Sequence, residues 1–234
     1  MQIDSIVKPI LSWYQSEKRI LPFRGIDNPY KIWLSEIMLQ QTQVKTVVPY
    51  YNRWIKRYPS VESVALADLD AVLKMWEGLG YYTRCRNFHT AAKIVVKKFN
   101  GVIPNDWKNF SSLPGVGDYT AAAVLSIAFN QPYAVMDGNV KRVMSRILGI
   151  KNLTSCNLSR INKTLSIIIP EHTPGDFNQS VMELGATICT PRSPSCKKCP
   201  LSFVCKAYKT KKPDYYPKPA AKKRQPHYTI VVGI

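Results

Sequence analysis

The segment that decides the fold reads Leu113-Pro114-Gly115-Val116-Gly117-Asp118-Tyr119-Thr120-Ala121, and it lies between two stretches of helical apolar spacing. Its glycines permit a tight turn, and a helix is predicted directly afterwards, from Tyr119 to Phe129. Backbone N–H groups at a helix start bind phosphate oxygens favourably, and glycine leaves room for a DNA backbone to approach. Because an ordinary helix–helix turn also uses glycine, the hairpin alone is a moderate indication of nucleic-acid binding.

The composition strengthens this interpretation. The 234-residue chain carries 33 Lys and Arg against 15 Asp and Glu, a formal net charge of +18. An excess of this size points first to a polyanion such as nucleic acid, the alternatives being a merely basic protein or one on an anionic membrane surface. No apolar run approaches the length that spans a bilayer, and residues 1–4 lack the pattern of a secretory signal. We therefore expect a protein of the reducing cytoplasm that acts without a membrane.

Almost every periodic segment indicates a helix, so the predicted fold class is all-α. Asn28-Pro29 is a favourable helix start, and the helix is predicted to carry Trp33, Ile37 and Val44 on one apolar face. Asp68 can cap a second helix that ends at the paired glycines of 78–80. Further helices are predicted over Thr83–Phe99, Val140–Leu148, Leu158–Ile168 and Phe177–Ile188.

The C-terminal residues have a different pattern. Residues 206–225 are rich in Lys and Pro and have no apolar period, which predicts an extended, solvated linker. Residues 228–234 alternate as a strand does. Because a lone strand has nothing to pair with, we expect either the beginning of a further domain or a docked tail.

Four cysteines form one short loop. Cys189, Cys196, Cys199 and Cys205 follow the spacing C-x6-C-x2-C-x5-C. Zinc sites more often pair two C-x2-C units across a longer gap, whereas a single loop of four thiolates suits a [4Fe–4S] cluster. Zinc and unligated thiols are the alternatives. Lysines and arginines between the cysteines make contact with phosphates as reasonable a role as redox chemistry.

Longer motifs now make a family resemblance specific. The hairpin, Asp137 about twenty residues later and the cysteine loop resemble the helix-hairpin-helix glycosylases of the endonuclease III superfamily, which cut bases from DNA. Four further strings are similar to its adenine glycosylase (MutY) branch: Leu21-Pro22-Phe23-Arg24, Ser35-Glu36-Ile37-Met38-Leu39-Gln40-Gln41-Thr42, Gly78-Leu79-Gly80-Tyr81-Tyr82 and Met136-Asp137-Gly138-Asn139-Val140-Lys141-Arg142. The resemblance extends from about residue 4 to residue 206.

The resemblance implies two helical lobes with a DNA-facing cleft between them. Residues 24–134 would form a six-helix barrel that contains the helix-hairpin-helix at 111–130. Residues 1–23 and 135–206 would form the lobe with the iron–sulfur cluster loop. Residues 207–234 would be a linker and the start of a truncated C-terminal domain, which in this branch recognises 8-oxoguanine.

Two carboxylates are the candidate catalytic groups. Removing a purine requires protonating the base and stabilising positive charge on the sugar, and two carboxylates can divide these tasks. Glu36 is predicted on a helix beside Trp33 and Ile37, where desolvation would raise its pKa as a general acid requires. A Glu on the solvent face is the commoner case, but the resembling motif favours the acid. Asp137 alone would be an N-cap, and the resemblance implies a carboxylate that faces C1′.

Tyr119 and Asn139 complete the catalytic set that the resemblance implies. Tyr119 stands where the endonuclease III branch has a lysine that forms a Schiff base and cleaves the strand. Tyrosine has no amine, so little or no strand cleavage is expected. The resemblance further implies that Tyr119 and Asn139 hydrogen-bond Asp137.

Other residues are expected to contact bases and phosphates. Those implied to enter the duplex or meet the opposite base are Gln41, Thr42, Leu79 and Tyr81. Those implied around the adenine and the DNA backbone are Arg19, Phe23, Arg24, Gly115, Val116, Gly117 and Glu183. An aromatic wedge with amide donors suits the unstacking of a base step, although core packing would also explain Tyr81. Phe23 replaces the tryptophan usual in this branch, so it keeps an aromatic face and loses the indole donor.

The resulting hypothesis is a monomeric, nucleoid-associated enzyme that excises adenine paired with 8-oxoguanine or guanine in double-stranded DNA. A thymine glycosylase for T·G mismatches is one alternative, because it can also carry the tyrosine. A non-catalytic iron–sulfur DNA-binding module is another, and the presence of both Glu36 and Asp137 argues against it.

Overall fold

The computed structural model describes residues 4–218, with side chains from residue 6 onwards, and it confirms the all-α prediction. Over these residues the regular structure is helical and no strand is present. The α-helices in chain order are α1 (Asp4–Glu17), α2 (Pro29–Leu39), α3 (Val44–Arg57), α4 (Val61–Leu66), α5 (Leu69–Trp76), α6 (Tyr82–Phe99), α7 (Trp107–Ser111), α8 (Asp118–Phe129), α9 (Gly138–Leu148), α10 (Ser155–Ile168), α11 (Pro174–Thr187) and α12 (Lys206–Lys209). The strand predicted at residues 228–234 lies outside the described residues.

Local signals explain where α2 begins, but its end differs from the prediction. The Asn28 side chain accepts a 3.0 Å hydrogen bond from the backbone N–H of Lys31, and proline occupies the first helical position. The predicted apolar face extended to Val44. The helix instead ends at Leu39, and Gln41 adopts a left-handed φ of 54° that no α-helix accommodates. Val44 therefore begins α3.

The buried apolar residues form two main clusters. The first spans α2 to α8 and is rich in aromatic side chains, among them the fully buried Trp33, Trp54 and Trp76. The second joins α1, α9, α10 and α11 through aliphatic residues such as Ile10 and Leu165. The division into lobes at residues 23, 134 and 206 stays a prediction, which this distribution of apolar contacts supports.

A buried asparagine fixes the two clusters against each other. Asn178 of α11 donates to the Ser126 hydroxyl of α8 at 2.9 Å and to the Tyr133 carbonyl at 2.8 Å. Its own side-chain oxygen accepts the Val135 N–H at 3.1 Å. With its polar atoms satisfied inside the protein, this amide specifies how α11 sits on α8. The faces of α8 and α11 that border the cleft are thereby held in register.

The prediction of an extended linker over residues 206–225 is wrong where the described part is helical, although most of its residues are exposed to solvent. Residues 206–209 form α12, and residues 213–215 form a 3₁₀ turn. The buried Arg146 donates to the carbonyls of Pro213 and Tyr216, each at 3.1 Å. The Lys218 N–H also donates to the Lys151 carbonyl at 2.7 Å. The Arg146 side chain of α9 and the Lys151 carbonyl in the loop after α9 thus dock this segment. None of the helices in residues 4–218 has the length and apolarity needed to cross a membrane.

Candidate active site and nucleic-acid interface

An open cavity of about 200 Å³ lies where the two clusters meet, and it collects the predicted catalytic groups. Glu36 lies on α2, Tyr119 on α8, Asp137 directly before α9 and Asn139 on the first turn of α9. The predicted site residues that line the cavity are Arg19, Phe23, Arg24, Glu36, Thr42, Tyr119, Asp137, Asn139 and Glu183. Groups separated by more than 140 positions in the sequence therefore face one space.

Glu36 has the environment that its neighbours in the sequence predict. The side chain lies on the last full turn of α2 and is only 7% exposed. Burial raises the pKa of its carboxyl from 4.5 to about 7, while the hydrogen bond from Tyr119 acts in the opposite direction. The negative charge of Asp137 also raises this pKa, and Arg24 lowers it. A carboxyl that titrates near neutral pH can deliver a proton to a bound base.

The hydroxyl of Tyr119 has a different partner from the one that the resemblance implies. It donates to Oε2 of Glu36 at 2.7 Å and lies 3.7 Å from the Met182 sulfur. Asp137, the expected partner, already accepts hydrogen bonds on both of its oxygens. Burial, and then the adjacent Glu36, raise the pKa of Tyr119, so the phenol is a neutral donor that holds the acid in place.

Asp137 is both an N-cap and a group that faces the cavity. Its Oδ1 accepts the Val140 N–H at 2.6 Å, and its Oδ2 accepts Nδ2 of Asn139 at 3.0 Å, as expected for Asn139. Arg142 then donates to Oδ1 of Asn139 at 2.7 Å and to the Cys189 carbonyl at 2.8 Å. A continuous set of hydrogen bonds thus links the carboxylate to the cysteine loop. Arg142 belongs to the 136–142 motif, but its role in this network was not predicted from the sequence.

A close helix contact supports the Asp137 network. Arg142 also donates to the Gly185 carbonyl of α11 at 2.8 Å. A Cβ atom at Gly185 would lie 2.6 Å from Cβ of Asn139, so no larger residue fits without moving that amide. Glycine in a helix interior is unfavourable by itself, and here it allows α9 and α11 to approach closely.

A buried ion cluster forms another wall of the cavity. Glu183 accepts Nε and Nη2 of Arg19 at 2.6 and 2.7 Å, and Nη2 of Arg24 at 2.6 Å. Burial alone would raise the pKa of Glu183, but the hydrogen bonds from the two arginines outweigh it and lower the pKa to about 2. Glu183 is therefore ionised, and its paired arginines present donors at the cavity edge. Phe23 lies nearby with its ring edge-to-face on Tyr51, part of the first cluster.

The surface around the cavity holds the predicted DNA-facing residues. Gly115 has φ of 79°, and a Cβ there would lie 2.9 Å from Asn87, so the hairpin turn requires glycine. Gly117 is the N-cap of α8, has open space around it, and leaves the first N–H groups of α8 without a side-chain cap. A shallow groove connects this hairpin with Gln41 and Asp137. It has the helix start and the small residues that a phosphate backbone needs.

The two residues of the second DNA-facing loop differ in exposure. Tyr81 is 59% exposed and is free to meet a base. Leu79 is 5% exposed and packs in the first cluster, as Val116 of the hairpin does. The buried side chains of Leu79 and Val116 thus support their loops from inside the protein. For Leu79 this differs from the expectation that it enters the duplex.

The four cysteines of the loop line one small apolar cavity together with Arg146. The sulfur of Cys189 lies 3.3 Å from Nη1 of Arg146. As placed, residues 4–218 contain no group of three or more His, Cys, Asp or Glu side chains close enough to hold a metal ion. Burial raises the pKa of Cys199 to about 12 and also raises that of Cys205. The four cysteines therefore border one cavity, although their sulfurs are not close enough together to bind a metal in this arrangement.

Comparisons with known proteins agree with this architecture. A thermostable thymine-DNA glycosylase of known structure superposes with a TM-score of 0.80 at 29% identity, covering 89% of this chain and 97% of that one. An endonuclease III–DNA complex superposes with a TM-score of 0.74 at 24% identity over 90% of this chain and 98% of that one, a likeness of fold.

Sequence relatives lie in the predicted branch. The chain is 46% identical over 201 residues to an adenine DNA glycosylase of Buchnera aphidicola subsp. Baizongia pistaciae, covering 85% of this chain and 57% of the relative. It is 44% identical over 213 residues to the adenine DNA glycosylase of Mus musculus, covering 85% of this chain and 41% of the relative. The chain thus spans about half the length of these relatives. Residues 34–170 match the family described as HhH-GPD superfamily base excision DNA repair protein. The chain belongs to the HhH-GPD superfamily of base excision DNA repair proteins.

Proposed function

We propose that this chain is a monofunctional adenine DNA glycosylase that excises adenine paired with 8-oxoguanine or guanine. The observation that carries the proposal is the buried Glu36 carboxyl, whose pKa lies at about 7 in the same cavity as Asp137. The adenine DNA glycosylases at 44–46% identity support the choice of base.

In this mechanism Glu36 is the general acid. Its proton passes to a ring nitrogen of the flipped adenine while the C1′–N9 bond breaks and the bonding electrons leave with the base. Protonation of the leaving group lowers the barrier, and the hydrogen bond from Tyr119 keeps the carboxyl pointed at the base. Adenine must first leave the duplex, because an enzyme cannot protonate a purine that is stacked in the helix. The flipped base would then occupy the cavity.

Asp137 stabilises the sugar cation that remains. Both of its oxygens are oriented by Val140 and Asn139, so the carboxylate needs little reorganisation when positive charge develops at C1′. Water then adds to C1′, and the proton that it loses returns to Glu36. The products are free adenine and an intact strand with an abasic site. Tyr119 offers no amine at this place, so imine formation and strand cleavage are not part of the reaction.

Glu183 and its arginines are proposed to bind the Watson–Crick and Hoogsteen edges of adenine. The buried Glu183 already accepts four hydrogen bonds from Arg19 and Arg24, so it would orient the two arginines, which would donate to ring nitrogens of adenine.

DNA would lie across the hairpin of residues 115–117 and the loops that hold Gln41, Thr42 and Tyr81. The +18 charge supports a phosphate-binding surface, and the uncapped start of α8 supports one specific phosphate contact. We propose a monomer that works on chromosomal DNA in the nucleoid.

Cys189, Cys196, Cys199 and Cys205 are proposed to hold a [4Fe–4S] cluster. They fit this group because all four line one apolar cavity, with the cation of Arg146 beside it. The cluster would supply a rigid four-point crosslink of the loop and a one-electron redox centre. The residues that it would order include Cys189, whose carbonyl accepts a hydrogen bond from Arg142 in the Asp137 network.

A thymine glycosylase acting on T·G pairs is a second candidate, because the superposed thymine-DNA glycosylase covers most of the chain at 29% identity. Single-turnover assays on A·8-oxoguanine, A·G and T·G duplexes separate the two. The proposal expects alkali-labile abasic sites from the two adenine duplexes and none from T·G. Release of thymine alone would transfer the assignment to the second candidate, and tight binding without any abasic product would indicate a non-catalytic module.

A further inference from the structure

Arg84 on the first turn of α6 makes an unusual number of contacts inside the protein. Its two terminal nitrogens lie within hydrogen-bond distance of six oxygen atoms from two separate segments. Five of these oxygens are backbone carbonyls and one is the Thr42 hydroxyl. Arg84 lies in no motif that marks it in the sequence, and it has no part in the proposed mechanism.

The first set of contacts caps the helix that carries the general acid. Nη1 of Arg84 donates to the carbonyls of Ile37, Met38 and Gln40 at 3.0, 2.9 and 2.5 Å. These carbonyls lie at the C-terminal end of α2, one to four residues after Glu36. A cation at this end satisfies free carbonyls and interacts favourably with the helix dipole.

The second set joins the two DNA-facing loops. Nη2 of Arg84 approaches the Thr42 hydroxyl at 3.1 Å in one loop, and the carbonyls of Leu79 and Gly80 at 3.4 and 3.2 Å in the other. A planar guanidinium can serve several acceptors in a fixed geometry, which the ammonium of lysine cannot. A single side chain thus sets the distance between residues 40–42 and residues 79–81.

Both loops contain a non-glycine residue in the left-handed region. Gln41 has φ of 54° and Tyr81 has φ of 50°. This conformation is unfavourable for residues with a Cβ and persists only where the surroundings impose it. Arg84 bonds to residues on both sides of Gln41 and to the two residues before Tyr81.

The ring of Tyr81 is also braced by Arg84. The guanidinium carbon lies 5.1 Å from the centroid of the Tyr81 ring and 5.5 Å from that of Trp76. The indole of Trp76 in turn donates to the Gly80 carbonyl at 3.0 Å. The exposed Tyr81 is therefore held on two sides: its ring lies against the Arg84 guanidinium, and the carbonyl of the preceding Gly80 is bound by Trp76.

We propose that Arg84 is the positioning residue that holds residues 40–42 and residues 79–81 in one fixed arrangement at the end of α2. In this arrangement the two segments enter the duplex together, one beside the target base and one at the opposite base. The inference rests on the proposed function, because it assigns the opening of the base pair to these segments. Because the terminal nitrogens of Arg84 face carbonyls, the side chain acts through the loops and not as a phosphate contact.

Three variants test this role: Arg84→Lys, Arg84→Met and the control Arg86→Met. Arg86 is exposed on the same helix, so its loss removes one charge and leaves the loops intact. Single-turnover excision is measured for adenine opposite 8-oxoguanine and for adenine opposite an abasic-site analogue, where adenine is still flipped out but has no opposite base to be separated from. Thermal unfolding identifies a variant that fails to fold. If Arg84→Met fails to fold, Arg84→Lys, which keeps the positive charge, still tests the proposal.

We expect Arg84→Met to slow excision about 100-fold opposite 8-oxoguanine and Arg84→Lys about 10-fold, as loss of positioning does. Opposite the abasic-site analogue both defects become at least about 10 times smaller, since the loops have less to open. Arg86→Met stays within about 2-fold of the parent on both duplexes. Equal defects on the two duplexes would overturn the proposal, because they would indicate damage to the catalytic helix alone.

A second measurement keeps this test independent of the proposed function. 2-Aminopurine placed beside an A·8-oxoguanine pair brightens when the pair is unstacked, whether or not adenine is then released. The parent protein and Arg86→Met are expected to raise this fluorescence, and Arg84→Lys is expected to lose most of the rise at saturating protein. An unchanged rise with Arg84→Lys contradicts the inference. Absence of excision by the parent on every duplex contradicts the proposed function instead.

Discussion

The Tyr119 hydroxyl and the Glu36 carboxylate are joined by a 2.7 Å hydrogen bond between α8 and α2. This bond has two opposed consequences, since it orients the acid and at the same time lowers its pKa. Burial outweighs the bond, and the pKa of Glu36 reaches about 7. Proton donation at neutral pH thus depends on a balance between an apolar setting and one phenol.

Removing the phenol should therefore move the pH dependence of the reaction. In Tyr119→Phe the pKa of Glu36 is expected to rise above 7, because the bond that favours its ionised form is lost. The single-turnover rate falls as pH rises through the pKa of the acid, so the midpoint of this fall should shift to higher pH. The maximal rate should drop about 10-fold, since the carboxyl loses its orientation. A midpoint that moves to lower pH would contradict the assignment of Glu36 as the acid.

Glu36→Gln should abolish excision and stabilise the protein at alkaline pH. The folded pKa of about 7 exceeds the ordinary 4.5, so between these values the folded state binds more protons than the unfolded state. The free energy of unfolding of the parent therefore falls with rising pH in this window, by up to about 3 kcal/mol. The glutamine variant avoids this loss. Denaturant unfolding at pH 4.5 and pH 8 measures it, and the control Glu171→Gln, at an exposed residue, keeps Glu36 and should lose stability over this range as the parent does.

Glu183 should have the opposite effect on stability. Its pKa is lowered to about 2, so its ion cluster contributes stability that is present above pH 4.5 and lost as pH falls towards 2. Glu183→Gln should remove this acid-sensitive contribution and raise the KM for adenine duplexes. Thermal melts between pH 3 and pH 6 provide the measurement. Arg24→Met should lower the stability of the folded protein more than Arg19→Met, since the Arg24 side chain is 14% exposed and that of Arg19 is 40% exposed.

Tyr119→Lys should give the protein a new covalent activity. The amine would lie between Glu36 and Asp137, either of which can accept its proton, and it could then attack C1′ to form an imine. Borohydride should trap the variant on an A·8-oxoguanine duplex, and some strand cleavage should accompany the trapping. Abundant trapping of the parent protein would refute the placement among monofunctional enzymes.

Cys199→Ser should reduce bound iron and duplex affinity together. The parent chain is expected to hold about four irons and no stoichiometric zinc, as a [4Fe–4S] cluster requires. Cys156→Ser is the matched control, because Cys156 is exposed and lies outside the loop. Metal analysis and fluorescence anisotropy measure the two effects. One zinc per chain in the parent would sink the cluster assignment.

Much of the site could be predicted from local sequence. Asn28 and Asp68 cap the helices assigned to them, and Asp137 caps α9 as its position before Gly138 indicates. The burial of Glu36 also follows from its apolar neighbours. These features depend on residues only a few positions apart, where hydrogen-bond and burial patterns are readable.

The features that were missed depend on contacts between distant segments. The partner of Tyr119 lies 83 positions away, and no spacing rule relates α8 to α2. In the sequence, Arg84 is indistinguishable from Arg86. Only the fold shows that Arg84 is the one that contacts the two loops. The break after Leu39 was missed for a related reason: Gln41 adopts a glycine-like φ without being glycine, so no residue type marked it.

The close approach of α9 to Gly185 leaves no room for a side chain at that residue. Because a single added carbon at that residue would meet Asn139 at 2.6 Å, a methyl group there is enough to displace the amide that aligns Asp137. Residue 185 carries no charge, yet an alanine there would misalign the Asp137 carboxylate while leaving the basic surface of the protein unchanged. We therefore expect a substitution at this position to leave DNA binding normal and to abolish base excision.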